Sequence, residues 1–257
     1  MRITVLGSGT SVGVPTIGCG CGVCTSTDPR DNRLRPSVVF SFGGQHIVID
    51  VTPDFRLQML RAKLPRLDAV FLTHAHADHI MGLDDIRPFN FMQSGSIPIY
   101  GSEETLAAVQ RCFPYIFEPI KHESWVPKIT LNPIPGEPFE YLGREFIPIR
   151  LLHGRLHVFG YRTGNAAYLT DHSVIPEESL EKLHGLDVLF LDALRYKPHA
   201  THTTVDQALK YVERLQPKRA FFTHIGHDIC HARAESMLPP HVRFAYDGLE
   251  IEVEEKG

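Results

Sequence analysis

The sequence predicts a mixed α/β fold, and three observations support this prediction. Short apolar runs of strand length recur along the chain and alternate with segments of helical spacing. Several of these apolar runs end directly on a histidine or an aspartate. The chain has 257 residues, which is enough to bury a full hydrophobic core. We therefore expect a single domain spanning residues 1–257.

The charge balance and the apolar pattern argue against two classes of partner. Lys and Arg total 26 against 30 Asp and Glu, so the formal net charge is -4. This lacks the basic field of a general nucleic-acid binder, although a local patch of Arg195 and Lys197 could hold a phosphate. No apolar run reaches membrane-spanning length, and Met1–Gly7 does not resemble a signal peptide. We expect a cytoplasmic protein without a membrane partner.

The chain begins with a strand over residues 2–6 and a glycine-rich loop, Gly7–Pro15. The loop does not match a dinucleotide-binding motif, because its third glycine comes one residue late and cysteines replace the expected helix. We interpret it as a tight turn near the floor of the active site.

Three cysteines, Cys19, Cys21 and Cys24, follow within six residues and are interleaved with glycines. Adjacent loop thiolates are typical of metal sites, and a structural zinc would require a fourth ligand, for which a C-terminal histidine is the natural candidate. Burial as small apolar residues, or a redox pair, are the alternatives for these cysteines.

Two strands are predicted at Ser37–Phe42 and Gln45–Asp50, joined by a Gly-Gly turn. Asp50 ends the second strand and has two interpretations. Its carboxylate could accept the outer N–H of a ligating histidine, or it could cap a helix predicted over Pro53–Lys63.

The strongest signal is the stretch that follows a strand predicted at Pro65–Leu72. It places His74, His76, Asp78 and His79 within six residues. Imidazole and carboxylate groups bind divalent zinc or manganese, and alternating histidines on an extended turn can converge on one ion. Asp78 and His79 can serve a second ion.

Residues 87–130 are less informative. A strand at Ile97–Tyr100 and helical spacing over Glu103–Cys112 are clear, and Cys112 is predicted to be a buried thiol. Five aromatic residues of this segment show neither helical nor strand periodicity: Phe89, Phe91, Phe113, Tyr115 and Phe117. They could form a lid over the site or belong to the hydrophobic core, and we favour the core.

The second half of the chain repeats the arrangement of a strand followed by a ligand. His153 follows a strand at Ile147–Leu152, and Asp171 follows the hairpin Val158–Leu169. A carboxylate at such a position can bridge two cations about 3.5 to 4 Å apart. Another apolar strand spans Asp187–Asp192.

Three further histidines follow later strands. His202 stands at the start of a helix predicted to run to about Leu215, where the helix dipole favours an anion such as a substrate phosphate. His224 and His227 follow a strand and can point apart, His224 towards the second metal and His227 towards the cysteines. We interpret His172 and His231 as ordinary loop residues.

These residues resemble the metallo-β-lactamase superfamily, whose hallmark is His-x-His-x-Asp-His after a strand. The later single ligands complete the pattern in the expected order: His153, Asp171 and His224. The resemblance implies a four-layer αββα sandwich with the site at one edge of the sheets.

Within the superfamily, the glycine-rich loop, the cysteine cluster and Thr223–His227 are similar to the phosphoribosyl cyclic phosphodiesterases of the carbon-phosphorus lyase pathway. By this resemblance Cys19, Cys21, Cys24 and His227 would bind a structural Zn²⁺. The resemblance also implies two catalytic cations, Mn²⁺ or Zn²⁺. One would be held by His74, His76 and His153 and the other by Asp78, His79 and His224. Asp171 would lie between the two cations. His202 matches the family histidine near the scissile phosphate.

The reaction we expect is hydrolysis of a small, cyclic sugar or nucleotide phosphodiester by a metal-bridged hydroxide, with Asp78 and His202 as the catalytic residues. The alternatives are an ester, thioester or lactone hydrolase, a transfer-RNA 3′-processing nuclease, which is disfavoured because no long inserted arm is present, and a non-catalytic scaffold. The sequence leaves open whether the chain forms a homodimer.

Overall fold

A computed structural model describes residues 1–118 and 125–254, and its strands form two sheets of seven. The first sheet has the order β14-β1-β2-β3-β4-β5-β6 and the second β13-β12-β11-β10-β9-β8-β7. The strands are β1 Arg2–Gly7, β2 Ser37–Phe42, β3 Gln45–Ile49, β4 Ala69–Phe71, β5 Ile97–Gly101, β6 Ile129–Pro133, β7 Phe139–Tyr141, β8 Arg144–His153, β9 Leu156–Thr163, β10 Ala166–Leu169, β11 Val188–Asp192, β12 Arg219–Thr223, β13 Val242–Phe244 and β14 Glu250–Glu252.

Eight α-helices are found among the described residues: α1 Phe55–Ala62, α2 Ala77–Ile80, α3 Arg87–Gln93, α4 Glu103–Cys112, α5 Pro114–Phe117, α6 Glu177–Leu180, α7 Val205–Leu215 and α8 His231–Glu235. Short 3-10 helices lie at Pro29–Asp31, Leu83–Ile86 and Glu181–Leu183. None of the helices in the described part of the chain has the length and apolar character needed to cross a membrane.

The buried side chains form three layers of core, which confirms the four-layer αββα sandwich. The central layer joins the inner faces of the two sheets, for example Phe40 from β2 and Phe190 from β11. The outer face of the first sheet packs on α1 and α4 through Phe55 and Val109, whereas the outer face of the second sheet packs on α7. Each sheet is therefore covered on both faces.

The parallel strands explain where the polar residues gather. β3, β4, β5 and β6 are parallel to one another, as are β10, β11, β12 and β13. The carboxyl ends of parallel strands meet at one edge of a sheet. Residues that follow these strands in the sequence therefore lie together at that edge.

Most of the predicted elements are confirmed, with shifted ends. The helix predicted over Pro53–Lys63 is α1, which begins at Phe55, and the predicted strand Pro65–Leu72 is the shorter β4. The helix after His202 is α7, and Thr204 and Gln207 form a reciprocal capping box at its start.

Three predictions about single residues are wrong. Cys112 is exposed rather than buried, because it is the last residue of α4. His172 and His231 are fully buried rather than ordinary loop residues. His172 follows Asp171 after β10 and His231 is the first residue of α8, and their burial depends on tertiary packing that a polar loop sequence does not reveal.

The aromatic residues of 87–130 divide into two groups. Phe89 and Phe113 belong to the core, as predicted, whereas Phe91, Tyr115 and Phe117 are between a third and just over half exposed. Residues 119–124 of this segment lie outside the described part of the chain.

Candidate metal centre

The candidate site lies where strands of both sheets end. Its side chains share one feature, which is that each ends or follows a strand: Asp50 after β3, His74 after β4, His153 at the end of β8, Asp171 after β10, Asp192 at the end of β11 and His224 after β12. All six are buried.

Three of these residues have a left-handed backbone. The φ angles are 66° at Asp50, 55° at Asp171 and 58° at His224. This region is costly for residues other than glycine, and such conformations concentrate at functional sites. The chain therefore turns sharply where it presents each of these side chains.

His74, His76 and His153 form a first cluster, in which one ring nitrogen of each lies within 4.8 Å of the others. Nε2 of His74 and Nδ1 of His76 are 2.9 Å apart. His153 donates from Nδ1 to the carbonyl of Thr201 at 2.9 Å, which leaves its Nε2 available to the cluster. Three imidazole nitrogens thus converge on one point.

Asp78, His79, Asp171 and His224 form a second cluster and are all buried. Nε2 of His79 lies 3.1 Å from Oδ2 of Asp78 and 3.4 Å from Oδ2 of Asp171. Nε2 of His224 lies 3.1 Å from Oδ1 of Asp171. Asp171 therefore places one oxygen near each histidine.

Asp171 also approaches the first cluster. One of its oxygens lies within 4.8 Å of a ring nitrogen of His153 and one of His202. Thr170 donates to Oδ2 of Asp171 at 2.6 Å, which fixes the orientation of the carboxylate. Asp171 therefore belongs to the second cluster and also lies close to His153 of the first.

The two clusters differ in proton affinity. Burial and the charge on His79 hold the pKa of His74 well below its usual value, so its imidazole is neutral and free to bind a cation. Burial opposes a charge on His224 as well, but Asp171 outweighs it and raises the pKa of His224 to about 9. A cation would replace this proton as the partner of Asp171.

Asp50 lies behind the second cluster. Its Oδ2 accepts a hydrogen bond from Nδ1 of His79 at 2.7 Å, and its two oxygens accept from the amide and hydroxyl of Thr73 at 2.8 and 2.9 Å. This contact fixes the tautomer of His79 with Nε2 towards the site. The hydrogen bond expected between Asp50 and a histidine of the site is present, and the capping interpretation is wrong because Asp54 holds the N-cap position of α1.

His202 lies between the clusters and is only 11% exposed. Its ring centroid is 4.6 Å from that of His153 and 4.5 Å from that of His224. Nδ1 of His202 donates to Oδ2 of Asp192 at 2.7 Å, so Nε2 faces away from that carboxylate. The contact with Asp192 therefore occupies Nδ1 and leaves Nε2 outside this pair.

The cysteine cluster lies on the loop that follows β1. The sulfurs of Cys19, Cys21 and Cys24 are 3.2, 3.5 and 3.5 Å from Nδ1 of His227. In a tetrahedral zinc site with ordinary bond lengths, sulfur and nitrogen would be about 3.6 Å apart. The donor set and spacing fit a closed structural zinc site.

The geometry of the buried clusters also fits cations. Nε2 of His79 and both ring nitrogens of His224 are buried without a hydrogen-bond partner among the described residues. Buried polar atoms normally have a partner, so buried ring nitrogens that lie close to carboxylates and make no hydrogen bond fit the binding of a cation.

The sequence predicted most of the residues that lie at the candidate site, but not all of them. The structure brings together each residue predicted to hold a metal. Asp192, Thr73 and Thr201 were not singled out, although Asp192 ends a strand in the same way as the ligands do. The partner of His202 could have been sought at such strand ends.

Comparisons with known proteins agree on the fold. The model of the Beta-lactamase superfamily domain matches residues 45–225. A solved structure described as a new diphosphatase from the PhnP family shares 47% identity, covers 98% of both chains and superposes with a TM-score of 0.93. Zn²⁺-bound PqqB from Methylobacterium extorquens has a TM-score of 0.81 and covers 98% of this chain and 100% of its own. At 19% identity this likeness shows the fold alone.

One relative is named for an acyl-transfer activity rather than for hydrolysis. The octanoyltransferase of Porphyromonas gingivalis is 38% identical over 261 residues, which is 100% of this chain and 52% of that protein. The chain thus spans about half the length of this relative, whose name describes the longer protein.

Proposed function

Because the chain belongs to the beta-lactamase superfamily, we propose that it is a metal-dependent phosphodiesterase that hydrolyses a small, cyclic sugar or nucleotide phosphodiester. Two features support the proposal: the 47% identity to a PhnP-family diphosphatase and the position of His202 between two ligand clusters. The second feature carries the argument, because a histidine beside both clusters is suited to donate a proton to a leaving alkoxide.

Two divalent cations, Mn²⁺ or Zn²⁺, would supply an activated water molecule and would neutralise the charge that builds on the phosphoryl oxygens. The residues proposed to hold the first cation are His74, His76 and His153, and those for the second are Asp78, His79 and His224. Asp171 lies between the two sets and is proposed to contact both cations. Cys19, Cys21, Cys24 and His227 are proposed to hold a structural Zn²⁺ away from the reaction.

The protein side chains move the protons. Asp78 accepts a proton from the attacking water, whose oxygen forms the new bond to phosphorus. As the bond from phosphorus to the leaving alkoxide breaks, Nε2 of His202 donates its proton to that alkoxide. Asp192 holds the opposite nitrogen at 2.7 Å and stabilises the protonated ring before the transfer.

The burial of the second cluster supports this assignment. Asp78, Asp171 and His224 are almost inaccessible to bulk water, which strengthens each electrostatic contact with a developing charge. His76, in contrast, is exposed at the mouth of the site. A small substrate would therefore enter past His76 and place its phosphate towards Asp171.

A direct experiment compares substrates with the metal-reconstituted protein. The metal-free chain is loaded with Mn²⁺ or Zn²⁺ and assayed with bis(4-nitrophenyl) phosphate and with cyclic sugar and nucleotide phosphates followed by ³¹P NMR. We expect metal-dependent opening of a cyclic phosphodiester that is lost in Asp171→Ala. Metal loading without phosphodiester cleavage would contradict the proposal.

A carboxylic ester or thioester hydrolase is the second candidate, because the name of the octanoyltransferase relative refers to an acyl group. The same assay with 4-nitrophenyl octanoate and an octanoyl thioester separates the two candidates. Turnover of the acyl substrates alone would favour this second function.

A further inference from the structure

One short turn carries two proposed metal ligands, one for each metal centre. His224 belongs to the second buried cluster and His227 to the cysteine cluster, and only Ile225 and Gly226 separate them. A residue that fixes this turn therefore controls where His227 meets the cysteines.

The side chain of Arg33 reaches this turn from the far end of the cysteine loop. Nη1 donates to the carbonyl of Gly226 at 3.0 Å, and Nη2 donates to the carbonyl of Ile229 at 2.8 Å. These two carbonyls lie on either side of His227. The planar guanidinium can satisfy both at once, which the single ammonium of a lysine cannot do in the same geometry.

Arg33 is buried together with its counter-ion. Only 1% of Arg33 is exposed, and its Nη2 lies 2.8 Å from Oδ1 of Asp31, which is also buried. The same oxygen accepts the amide of His231 at 2.8 Å, at the start of α8. Asp31 thus holds the guanidinium and the residues beyond the turn in one arrangement.

The backbone of Arg33 has a second role, because it closes the loop that carries the cysteines. The amide of Arg33 donates to the carbonyl of Val14 at 2.7 Å, and the amide of Val14 donates back at 2.9 Å. All three cysteines lie between these two residues in the sequence.

Gly9 shows how closely this loop is packed. A Cβ atom at Gly9 would lie 2.8 Å from the carbonyl oxygen of Arg33, closer than real contacts allow. On its other side Gly9 pairs with Ile225 of the histidine turn. The glycine therefore lets three segments meet.

We infer that Arg33 is the positioning residue that joins the two halves of the Cys-His cluster. Its backbone closes the loop of Cys19, Cys21 and Cys24, while its side chain orients His227 through the carbonyls of Gly226 and Ile229. The inference rests on the proposed ligation by these four residues and is independent of the substrate.

Cobalt provides a direct measurement, since Co²⁺ bound to thiolates gives an intense charge-transfer band that histidine-carboxylate sites lack. The reduced, metal-free chain is titrated with Co²⁺ in the wild type, in Arg33→Lys and in a control, Arg30→Lys. Arg30 pairs with Asp28 at 2.7 Å and with Glu235 at 3.6 Å, both partly exposed, and among the described residues its side chain makes no hydrogen bond or ion pair with the turn. Circular dichroism of each metal-free variant checks the fold.

We expect Arg33→Lys to lower the cobalt affinity of the thiolate site by about 10-fold or more, the range for residues that orient metal ligands, while Arg30→Lys matches the wild type. A thiolate band of wild-type intensity and affinity in folded Arg33→Lys would overturn the inference.

A second variant decides the matter if Arg33→Lys does not fold. Asp31→Asn retains an oxygen acceptor but removes the charge that holds the guanidinium, so it should show a smaller loss of cobalt affinity. Wild-type affinity in Asp31→Asn would then overturn the inference. If the wild type itself shows no thiolate band, the Cys-His ligation fails and the inference fails with it, while the phosphodiesterase proposal keeps its own test.

Discussion

Oδ2 of Asp192 lies 2.7 Å from Nδ1 of His202, at the end of β11 and beside the two ligand clusters. Asp192 is fully buried, and Thr203 donates to its Oδ1 at 3.3 Å. A buried carboxylate whose other oxygen is held by a hydroxyl keeps the imidazole in a single tautomer and orientation. This pair links the helix start at α7 to the candidate site.

Replacing Asp192 with asparagine should lower kcat by about 100-fold, within the usual range for general acid catalysis, because the amide can no longer stabilise protonated His202. The measurement is steady-state kinetics on the best phosphodiester with metal content determined in parallel. Asp187→Asn is the control, because Asp187 immediately precedes the first residue of β11, at the end of the strand away from the site, and contacts Lys218 at 2.9 Å. Equal kcat in Asp192→Asn and the control would contradict this role.

His202→Ala should lower kcat by about 100-fold or more while both proposed catalytic cations remain bound, because this variant loses the proton donor and no proposed metal ligand. The control is His199→Ala, in which a more exposed histidine 5.1 Å from the ring of His202 is removed. Elemental analysis of both variants distinguishes the loss of a proton donor from the loss of a bound cation. Loss of metal in His202→Ala would show that His202 is a ligand instead.

The sequence predicted which side chains gather at the candidate site because most of them follow strands directly. His74–His79 can be recognised without any knowledge of tertiary structure, and the alternation of apolar strands with single ligands predicts a common edge. Parallel pairing gathers the strand ends within each sheet, and the packing of the two sheets against each other then brings Asp78 of the first sheet close to His224 of the second.

The missed features depend on contacts between distant segments. Arg33 belongs to no motif in the sequence, and only the folded chain shows its guanidinium buried against the carbonyls of Gly226 and Ile229. Asp50 had two interpretations in the sequence, and the positive φ at this residue, which directs its carboxylate to His79, is a property of the folded backbone. Burial of His172 likewise depends on packing that no local pattern encodes.

Asp171→Ala should release the catalytic cations and abolish turnover while the chain stays folded. The carboxylate lies near His79 and His224 and close to the first cluster, so its removal affects both proposed cations. We expect metal affinity to fall by more than about 100-fold, the upper end of the effect of an outer-shell partner. Isothermal titration with Mn²⁺ measures this loss, and Asp206→Ala, at an exposed position in α7, is the control. Full activity in Asp171→Ala would refute the bridging role.

Cys21→Ser should act on stability rather than on chemistry. The amide of Cys24 donates to the sulfur of Cys21 and lowers the pKa of this thiol to about 6, so it is a thiolate at neutral pH and suited to bind zinc. Closed zinc sites contribute directly to folding, and in a chain of this size about 1 kcal/mol corresponds to about 2–4 °C in Tm. We expect Tm to fall by roughly 5 °C or more, with the loss of about one zinc ion per chain.

Cys112→Ser is the matched control for this variant, because Cys112 is exposed at the end of α4 and lies outside the cysteine cluster. Differential scanning calorimetry and zinc analysis of both variants complete the comparison. Within residues 1–118 and 125–254 the exposed thiol belongs to no group of potential metal ligands, so Cys112→Ser should keep the wild-type Tm and zinc content. If Cys21→Ser behaves in the same way as Cys112→Ser, the cysteines and His227 do not form a zinc site, and the close approach of their sulfur and nitrogen atoms is a packing contact alone.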